Sequence, residues 1–513
     1  LPALPALPAL PALPALPATP CRTPRPARRA RRPALRAGDE NARVLEPGPE
    51  HISRKTLAGG LPAGQGRGLL EVRGDVRGDD ERWPIVGPLA SVLDALPVVT
   101  WDLGPGETAA APHLPAYTGP LVIVLGRTGG IRGGRRIFTV TLKMPDLDQR
   151  RAHWARAFAA AGHGAAAVVS DACLDAVVRQ FRLTTGAIYR TAEMARVQAL
   201  LAERVDADGA RSPAITVADV PAITVADVQA ITVADVQAAT RMLNRQVLDA
   251  LAQRLAPLDD WGILAADADV IAELMMLENR CRHRETLLTT VSPTLSSQLS
   301  PGVRALFSGP SGTGKTLAAR LLAGSLHMDA YRLDLSAVVN KYIGETEKNL
   351  EALLSRAEEL DVILLIDEGD ALLTQRTNVQ SSNDRYANLE TNFLLQRLES
   401  FTGIVIVTTN AGDRIDAAFQ RRMDVVIDFR MPEASERWSL WQLHLPPGHG
   451  VESALLRELT ARCILTGGQI RNSALHASLL ALSNGGVVTS EHLREAVQRE
   501  YRKMGAPCPL RNN

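Results

Sequence analysis

The chain has 513 residues, which is enough for two or three domains, and its 57 Lys and Arg residues nearly balance its 56 Asp and Glu residues. A formal net charge of +1 argues against nucleic acid or an acidic membrane as a partner selected by overall charge, and no apolar run reaches the roughly 18 residues that span a bilayer. Five cysteines without a C-x-x-C pair predict reduced thiols rather than disulfides or a metal site, so we expect a cytoplasmic protein.

The N-terminal segment lacks the pattern of a packed domain. Residues 1–18 repeat Leu-Pro-Ala six times, and an Arg- and Pro-rich stretch continues to about Arg36. Proline at every third position excludes helices and central strands and leaves polyproline II or disorder. We therefore predict a disordered tail, or a wrongly assigned gene start, over residues 1–82, with no packed core before about Trp83.

Residues 83–250 repeat the residue spacing of the second half of the chain. The matched pairs are Pro145 and Pro432, Arg150 and Arg437, Trp154 and Trp441, Leu183 and Leu465, and Ile188 and Ile470. The apolar run Leu121–Leu125 likewise parallels Ile404–Val407. The simplest interpretation is that 83–250 is a degraded copy of the module at 255–505. Because this copy has no phosphate loop, we expect it not to hydrolyse nucleotide.

Three near-identical octamers occupy residues 214–237, within this first copy. Each contains a Thr-x-x-Asp unit, which is typical of a capping pair at the start of a helix. We interpret one octamer as the working copy and the others as an inserted loop. The last octamer, at 231–236, resembles residues 488–493.

Residues Gly309–Thr316 match the phosphate-loop pattern G-x-x-x-x-G-K-[ST] at every fixed position. Glycines allow backbone N–H groups to wrap around a phosphate, Lys315 reaches the β- and γ-phosphates, and the Thr316 hydroxyl is suited to Mg²⁺. An apolar strand pattern precedes the loop and a helix pattern follows it. The predicted nucleotide-binding residues are Gly309, Pro310, Ser311, Gly312, Thr313, Gly314, Lys315, Thr316 and Leu317.

A second apolar run, 362–366, ends in the carboxylates Asp367 and Glu368. A run this continuous indicates a strand buried on both faces of a parallel sheet, and such sheets bind ligands at the carboxyl ends of their strands. We predict that Asp367 holds the Mg²⁺ shell and that Glu368 takes the proton of an attacking water.

A third strand pattern, 403–409, ends at Asn410, which we predict to orient the water or contact the γ-phosphate. Arg421 and Arg422 lie between this strand and the next apolar run, 425–429. That position favours a sheet-edge loop, suited to an arginine finger that acts on the nucleotide of a neighbouring subunit. We identify no other cation in residues 303–430 for this role.

Together these motifs make residues 303–480 resemble the AAA family of P-loop ATPases. Gly309–Thr316 matches its first Walker motif, Ile363–Glu368 its second, and Asn410 its first sensor. Arg421 and Arg422 match its finger pair, although many members separate the two arginines, so either one can be the finger. The resemblance implies an α/β fold, namely a doubly wound parallel-sheet core with a small helical lid. It also implies ATP and Mg²⁺ as cofactors and a homo-hexameric ring that acts on protein substrates.

Two further segments resemble parts of the same family. Residues 340–349 resemble its first pore loop, with Lys341, Tyr342 and Ile343 in the loop and Tyr342 as the aromatic residue that grips polypeptide. Leu465–Ala477 resembles the start of the sensor-two helix of the lid, where Arg471 is the candidate second sensor. We accordingly expect an ATPase core at 251–430, a lid at 431–505 and a tail at 506–513, preceded by the degenerate AAA-like α/β region.

A narrower resemblance concerns residues 384–398. Together with the degraded AAA-like half in front of them, they are similar to bacterial ATPases encoded with contractile, phage-tail-like injection systems. It implies a client protein belonging to such a particle. Two other functions remain open: a nucleotide-gated assembly scaffold with low turnover, and a nucleic-acid loader or initiator. The near-neutral charge and the aromatic pore loop argue against the nucleic-acid machine.

Overall fold

The computed structural model of the protein forms two α/β units in tandem. Each has a sheet whose strands are all or nearly all parallel, followed by a group of four helices. No helix in the part of the chain that the structure describes is long and apolar enough to cross a bilayer. The described residues are 42–46, 66–73, 80–101, 103, 107–125, 129–133, 136–139, 144–161, 169–201, 231–248, 252–296, 299–333, 345–369, 393–410, 417–483 and 486–510.

The first unit contains a five-stranded sheet whose neighbouring strands are all parallel, in the order β2-β3-β5-β1-β7. Its elements are β1 (Ala42–Glu46), β2 (Gly68–Val72), α1 (Trp83–Val92), β3 (Ala95–Trp101), β4 (Thr108–Ala110), β5 (Leu121–Leu125), β6 (Gly130–Arg132) and β7 (Arg136–Thr139). Strands β4 and β6 form a separate pair. The expected boundary at Trp83 is wrong, because β1 and β2 precede it and belong to this sheet. A five-residue strand carries too short an apolar pattern to stand out beside a low-complexity segment.

The first helical unit follows the sheet. It consists of α2 (Leu147–Ala161), α3 (Asp171–Gln180), α4 (Thr185–Leu201) and α5 (Val233–Leu248). Helix α5 begins in the third octamer, where the Asp235 carboxylate accepts hydrogen bonds from the Thr232 backbone N–H and hydroxyl at 2.8 and 2.7 Å. The predicted capping role of this octamer is confirmed, whereas residues 214–230 lie outside the described part of the chain.

The second sheet has six strands in the order β13-β9-β12-β11-β10-β8. Only β8, at one edge, runs antiparallel to its neighbour. The strands of this sheet and the helices that connect them are β8 (Gln253–Leu255), α6 (Ala268–Thr290), α7 (Pro293–Ser296), β9 (Val303–Ser308), α8 (Lys315–Ser325), β10 (Ala330–Leu333), α9 (Glu345–Leu360), β11 (Ile363–Ile366), β12 (Ile404–Thr409), α10 (Ala417–Gln420) and β13 (Val425–Asp428). Every residue of β11 and β12 is buried, as the continuous apolar runs predict for strands covered on both faces.

Both parallel sheets have the same strand order. If the five parallel strands of each unit are counted along the chain, the order across the sheet is fifth, first, fourth, third, second in both cases. Strands β5 and β12, whose apolar runs the sequence matches, both occupy the fourth place. Matched side chains also share an environment, since Trp154 and Trp441 are both buried and Arg150 and Arg437 each donate to a proline carbonyl.

The second helical unit, here called the lid, consists of α11 (Ala434–His444), α12 (Ser453–Arg462), α13 (Gly467–Ser483) and α14 (Ser490–Lys503). Its core contains Trp441, Leu459 and Val497. Leu510 is also buried in this core, so the expected separate tail at 506–513 is wrong as far as residue 510. Hydrophobic burial of that leucine extends the lid beyond α14.

The first helical unit packs against the second sheet at the amino-terminal ends of its strands. Arg182 Nη1 donates to the carbonyl of Thr402, just before β12, at 2.8 Å. Asn244 Nδ2 donates to the Asp329 carboxylate, just before β10, at 2.9 Å. The first helical unit and the second sheet also share one hydrophobic core. This packing leaves the opposite end of the sheet, where β9, β11 and β12 finish, facing the lid.

Candidate nucleotide-binding site

A cavity of about 660 Å³ lies between the carboxyl ends of the second sheet and the lid. That volume falls within the range of small-molecule sites in proteins, roughly 300–1,000 Å³. It brings together the residues predicted from three separate segments of the sequence. Those lining it are Ser311, Gly312, Thr313, Gly314, Lys315, Thr316, Leu317, Asp367, Glu368 and Asn410.

The phosphate loop has a backbone that only glycine accommodates without strain. Gly309, Gly312 and Gly314 have φ values of 130°, 82° and 106°. A Cβ at Gly309 would lie 2.0 Å from the Phe429 carbonyl oxygen. Helix α8 starts directly after Gly314, so its N-terminus faces the cavity and favours an anion there. The loop therefore fits a phosphate group.

Lys315 is 7% exposed and its ammonium is held by oxygen acceptors. Nζ donates to the Gly309 and Pro310 carbonyls at 2.5 and 2.9 Å, and to Asn410 Oδ1 at 3.0 Å. The predicted phosphate lysine and the predicted first sensor are thus in direct contact. Gly309 and Pro310 act here through their carbonyls and are not among the residues that line the cavity.

The second Walker motif is organised by Thr408, in β12. Its hydroxyl donates to Asp367 Oδ1 and accepts from the Glu368 backbone N–H at 3.3 Å. Glu368 has a φ of 54°, in the left-handed region that costs a non-glycine residue energy. The side chain of Glu368 is exposed where it lines the cavity, whereas Asp367 is half-buried. The arrangement separates a carboxylate fixed by hydrogen bonds from one that water can reach.

The residues of this cavity also fit Mg²⁺. The Thr316 hydroxyl and the Asp367 carboxylate line the same space, and both supply the hard oxygen ligands that this ion prefers. When bound with nucleotide, Mg²⁺ would neutralise charge on the β- and γ-phosphate oxygens. Thr316 and Asp367 are the residues that would hold it.

Sequence reasoning missed the apolar wall of the cavity. Leu264, on the chain that leads into α6, and Val270, in the first turn of α6, line the cavity together with Leu440 and His444 of the lid. Burial, and then the nearby charge of Arg471, lower the pKa of His444, which favours its neutral imidazole. This wall offers an apolar surface for a nucleotide base. These short segments carry no periodic or motif signal that could have identified them.

The positively charged residues fall into two groups. The first group lies at the cavity. Arg471 of α13, Arg320 and Arg430 line it, and Arg332 contacts Asp367. The expectation that residues 303–430 supply no suitable cation besides Arg421 and Arg422 is therefore wrong. Neither of that pair lines the cavity. Arg422 instead pairs with Glu399, and Arg421 is exposed.

The predicted pore-loop residues lie outside the described part of the chain. Lys341, Tyr342 and Ile343 fall in the interval between β10 and α9, at 334–344. Their role rests on the sequence alone.

Comparison with known proteins agrees with the geometry of the cavity. The sequence model of the ATPase family associated with various cellular activities (AAA) matches residues 305–431. An ATP-dependent zinc metalloprotease FtsH 3 from Sphaerobacter thermophilus is 34% identical over 203 residues, which cover 38% of this chain and 41% of that protein. A proteasome-activating nucleotidase from Aeropyrum pernix is 30% identical over 238 residues, which cover 44% of this chain and 58% of that protein.

A probable 26S proteasome regulatory subunit 10B from Caenorhabditis elegans is 31% identical over 214 residues, which cover 40% of this chain and 51% of that protein. The chain thus spans about two fifths to three fifths of the length of these relatives. Within the matched region, the phosphate loop, Asp367, Glu368 and Asn410 meet in one cavity. The family match at residues 305–431 and these relatives support an ATPase domain of the AAA type there, as the sequence predicts.

Proposed function

We propose that the protein hydrolyses ATP to remodel or assemble other proteins, working as a ring of identical subunits. The observation that carries the proposal is the convergence of Lys315, Asp367, Glu368 and Asn410 on one cavity that also has an apolar wall. Phosphate, metal ion, attacking water and base each have a place in such a cavity. The names of the relatives, among them a proteasome-activating nucleotidase, favour a polypeptide as the client.

The residues divide the work of hydrolysis among them. Lys315 and the N-terminus of α8 stabilise the phosphates. Glu368 accepts a proton from a water whose oxygen bonds to the γ-phosphorus, while the bond from that phosphorus to the β–γ bridging oxygen breaks. ADP and phosphate leave. Asn410 positions the water, and Arg471 contributes positive charge from the lid.

A ring, in our proposal a homo-hexamer, would bring the predicted finger arginines to this cavity. Arg421 and Arg422 lie outside the cavity, at the end of the loop that leads into β13. A finger from one subunit would then complete the cavity of the next, which is a head-to-tail contact that closes into a ring. Tyr342, in the predicted pore loop, would grip the client at the centre of such a ring.

The first unit is, in this proposal, an AAA-like copy that does not hydrolyse nucleotide. Two observations support it, namely the common strand order and the paired environments of Trp154 and Trp441. Since β1 belongs to its sheet, the copy begins by residue 42 rather than at 83. We further propose a cytoplasmic location. From the sequence resemblance at 384–398, with the AAA-like half in front, we also propose a client that belongs to a contractile injection particle.

A steady-state turnover experiment distinguishes the remodeller from a nucleotide-gated scaffold. Phosphate release is measured with and without an unfolded polypeptide, with Lys315→Ala as the inactive reference. Sustained release that the polypeptide stimulates supports the remodeller. Tyr342→Ala should then keep the basal release and lose the stimulation. Binding of ATP without sustained or stimulated release supports the scaffold instead. DNA binding that weakens steeply with salt would support a nucleic-acid machine.

A further inference from the structure

Arg332 reaches the carboxylate that is placed to hold the metal ion. It lies in β10, where its backbone pairs with Leu365 of β11, two residues before Asp367. Arg332 Nε lies 3.0 Å from Asp367 Oδ2, and the two side chains are 40% and 16% exposed. The pair joins a partly exposed guanidinium to a more buried carboxylate.

The other oxygen of Asp367 is occupied as well. Oδ1 accepts from the Thr408 hydroxyl and from the Glu368 backbone N–H at 3.2 Å. Thr408 belongs to a fully buried strand, so its hydroxyl fixes the orientation of the carboxylate. Arg332 is therefore not needed to orient the Asp367 carboxylate. Arg332 instead places a positive charge beside Asp367 Oδ2, the oxygen that Thr408 does not contact.

We infer that Arg332 acts as an exchangeable counter-ion for Asp367, occupying the oxygen to which Mg²⁺ would bind and yielding it when metal and nucleotide arrive together. The inference rests on the proposed nucleotide role of the cavity. An ion pair with a partly exposed member is weak, so the guanidinium can turn toward water at small cost. Without it, Asp367 presents an uncompensated negative charge to the phosphates of a nucleotide.

This role makes two predictions of opposite sign for Arg332→Gln. The free Mg²⁺ concentration that half-saturates binding of ADP should fall roughly two- to fivefold, the size expected for loss of a partly exposed ion pair. In excess chelator the affinity for ADP should instead decrease by a similar factor, because Asp367 then repels the phosphates. A purely structural arginine would weaken binding in both conditions.

The experiment uses the full chain and a fluorescent ADP analogue, titrated at a series of free Mg²⁺ concentrations and in chelator. Arg332→Lys keeps a positive charge and should stay close to the wild type. Arg356→Gln is the control, because Arg356 makes a comparable half-exposed pair with Glu359, within α9. Thr408→Val frees the opposite oxygen and should raise the Mg²⁺ requirement, since it removes the group that orients Asp367.

The outcomes separate this inference from the proposed function. Wild-type binding together with an unchanged or increased Mg²⁺ requirement in Arg332→Gln overturns the counter-ion role and leaves the nucleotide site intact. Absence of ADP binding by the wild type under all conditions overturns the nucleotide role and this inference with it. If Arg332→Gln unfolds at a much lower temperature than Arg356→Gln while Arg332→Lys also loses affinity in both conditions, Arg332 is a structural residue.

Discussion

Lys315 and Asn410 are joined by a hydrogen bond of 3.0 Å from Nζ to Oδ1, although 95 positions separate them in the chain. The bond connects the start of helix α8 to the residue that follows β12. It therefore links the group that we propose to contact phosphate to the group that we propose to position water. Lys315 Nζ also donates to the carbonyls of Gly309 and Pro310, so the Asn410 side chain is one of several groups that hold the lysine in place.

Asn410→Ala should separate binding from turnover. Lys315 retains its carbonyl partners, so the affinity for ATP should change by less than about tenfold. Turnover should fall roughly 10²-fold, the typical cost of removing one polar group that acts in the transition state. Calorimetric binding and phosphate release measure the two quantities, and Lys315→Ala serves as the control that loses binding itself. Equal losses of affinity and turnover would assign Asn410 to the phosphate loop rather than to the water.

Glu368→Gln should bind ATP and hydrolyse it very slowly. The glutamine keeps the shape of the side chain but cannot accept the proton, and loss of a general base typically costs roughly 10²–10⁴-fold in rate. The Thr408 hydroxyl still supports the backbone at this position, so the cavity should keep its form. Bound ATP after rapid gel filtration measures the effect. Near-wild-type phosphate release by this variant would remove Glu368 from the catalytic role.

A mixing experiment tests whether the arginine fingers act between subunits. The double variant Arg421→Ala/Arg422→Ala should be inactive, since an arginine finger contributes roughly 10³–10⁵ in rate. Mixed with Lys315→Ala subunits it should regain part of its turnover, because an intact phosphate loop then meets an intact finger. Glu399→Gln is the control for the pair that holds Arg422 in this chain. Specific activity that stays constant down to a verified monomer would contradict the trans arrangement.

The contact between the first helical unit and helix α6 should depend on pH through Glu285. The Glu285 carboxylate accepts from Arg150 at 3.0 Å and lies 2.8 Å from Arg182 Nε. Burial raises the pKa of Glu285, but the hydrogen bond of Arg150 and the charges of Arg150, Arg182 and Arg284 together outweigh it and hold the pKa below its ordinary value. A carboxyl with a lowered folded pKa stabilises the fold above its unfolded pKa, and that stability is lost as the pH falls through the folded value.

Glu285→Gln should therefore unfold at a lower temperature than the wild type at pH 7. The loss is roughly 2–4 °C for each kcal/mol of stability, as expected for a domain of this size. The difference should shrink as the pH falls below the ordinary pKa of a glutamate, where the unfolded carboxyl becomes neutral, and should vanish below the lowered folded pKa, where the folded carboxyl becomes neutral too. Glu278→Gln, which breaks a pair with Arg282 on the same helix, is the matched control. A difference that is the same at pH 7 and at pH 3.5 would show that charge is not its cause.

The sequence predicted those parts of the site that lie in contiguous motifs. The phosphate loop and the Asp367–Glu368 pair each follow a buried strand, and parallel strands end at the same edge of a sheet. That rule alone brings Asn410 close to Lys315. The helix start at Thr232 was also predictable, because a capping pair is a local signal between residues three positions apart.

Other parts could not be predicted because they arise from tertiary contact. Arg332 is one arginine among many until β10 pairs with β11 and brings it to Asp367. The apolar wall joins Leu264 to Leu440 across the cavity, and neither belongs to a recognisable pattern. Strand β1 was missed because it owes its place to pairing with β5 and β7 rather than to a long apolar run of its own.

The tandem arrangement predicts that one chain binds one nucleotide. The two parallel sheets share a strand order, yet the phosphate-loop pattern occurs once, at Gly309–Thr316. Saturation binding of ADP to the full-length protein should therefore give a stoichiometry close to one per chain. Lys315→Ala should reduce it to zero, because an ammonium and its phosphate contacts are lost from the one competent loop. Arg150→Lys, in the first unit, should change the unfolding temperature but not the stoichiometry. A value near two, or binding that survives in Lys315→Ala, would show that the first unit holds a nucleotide of its own.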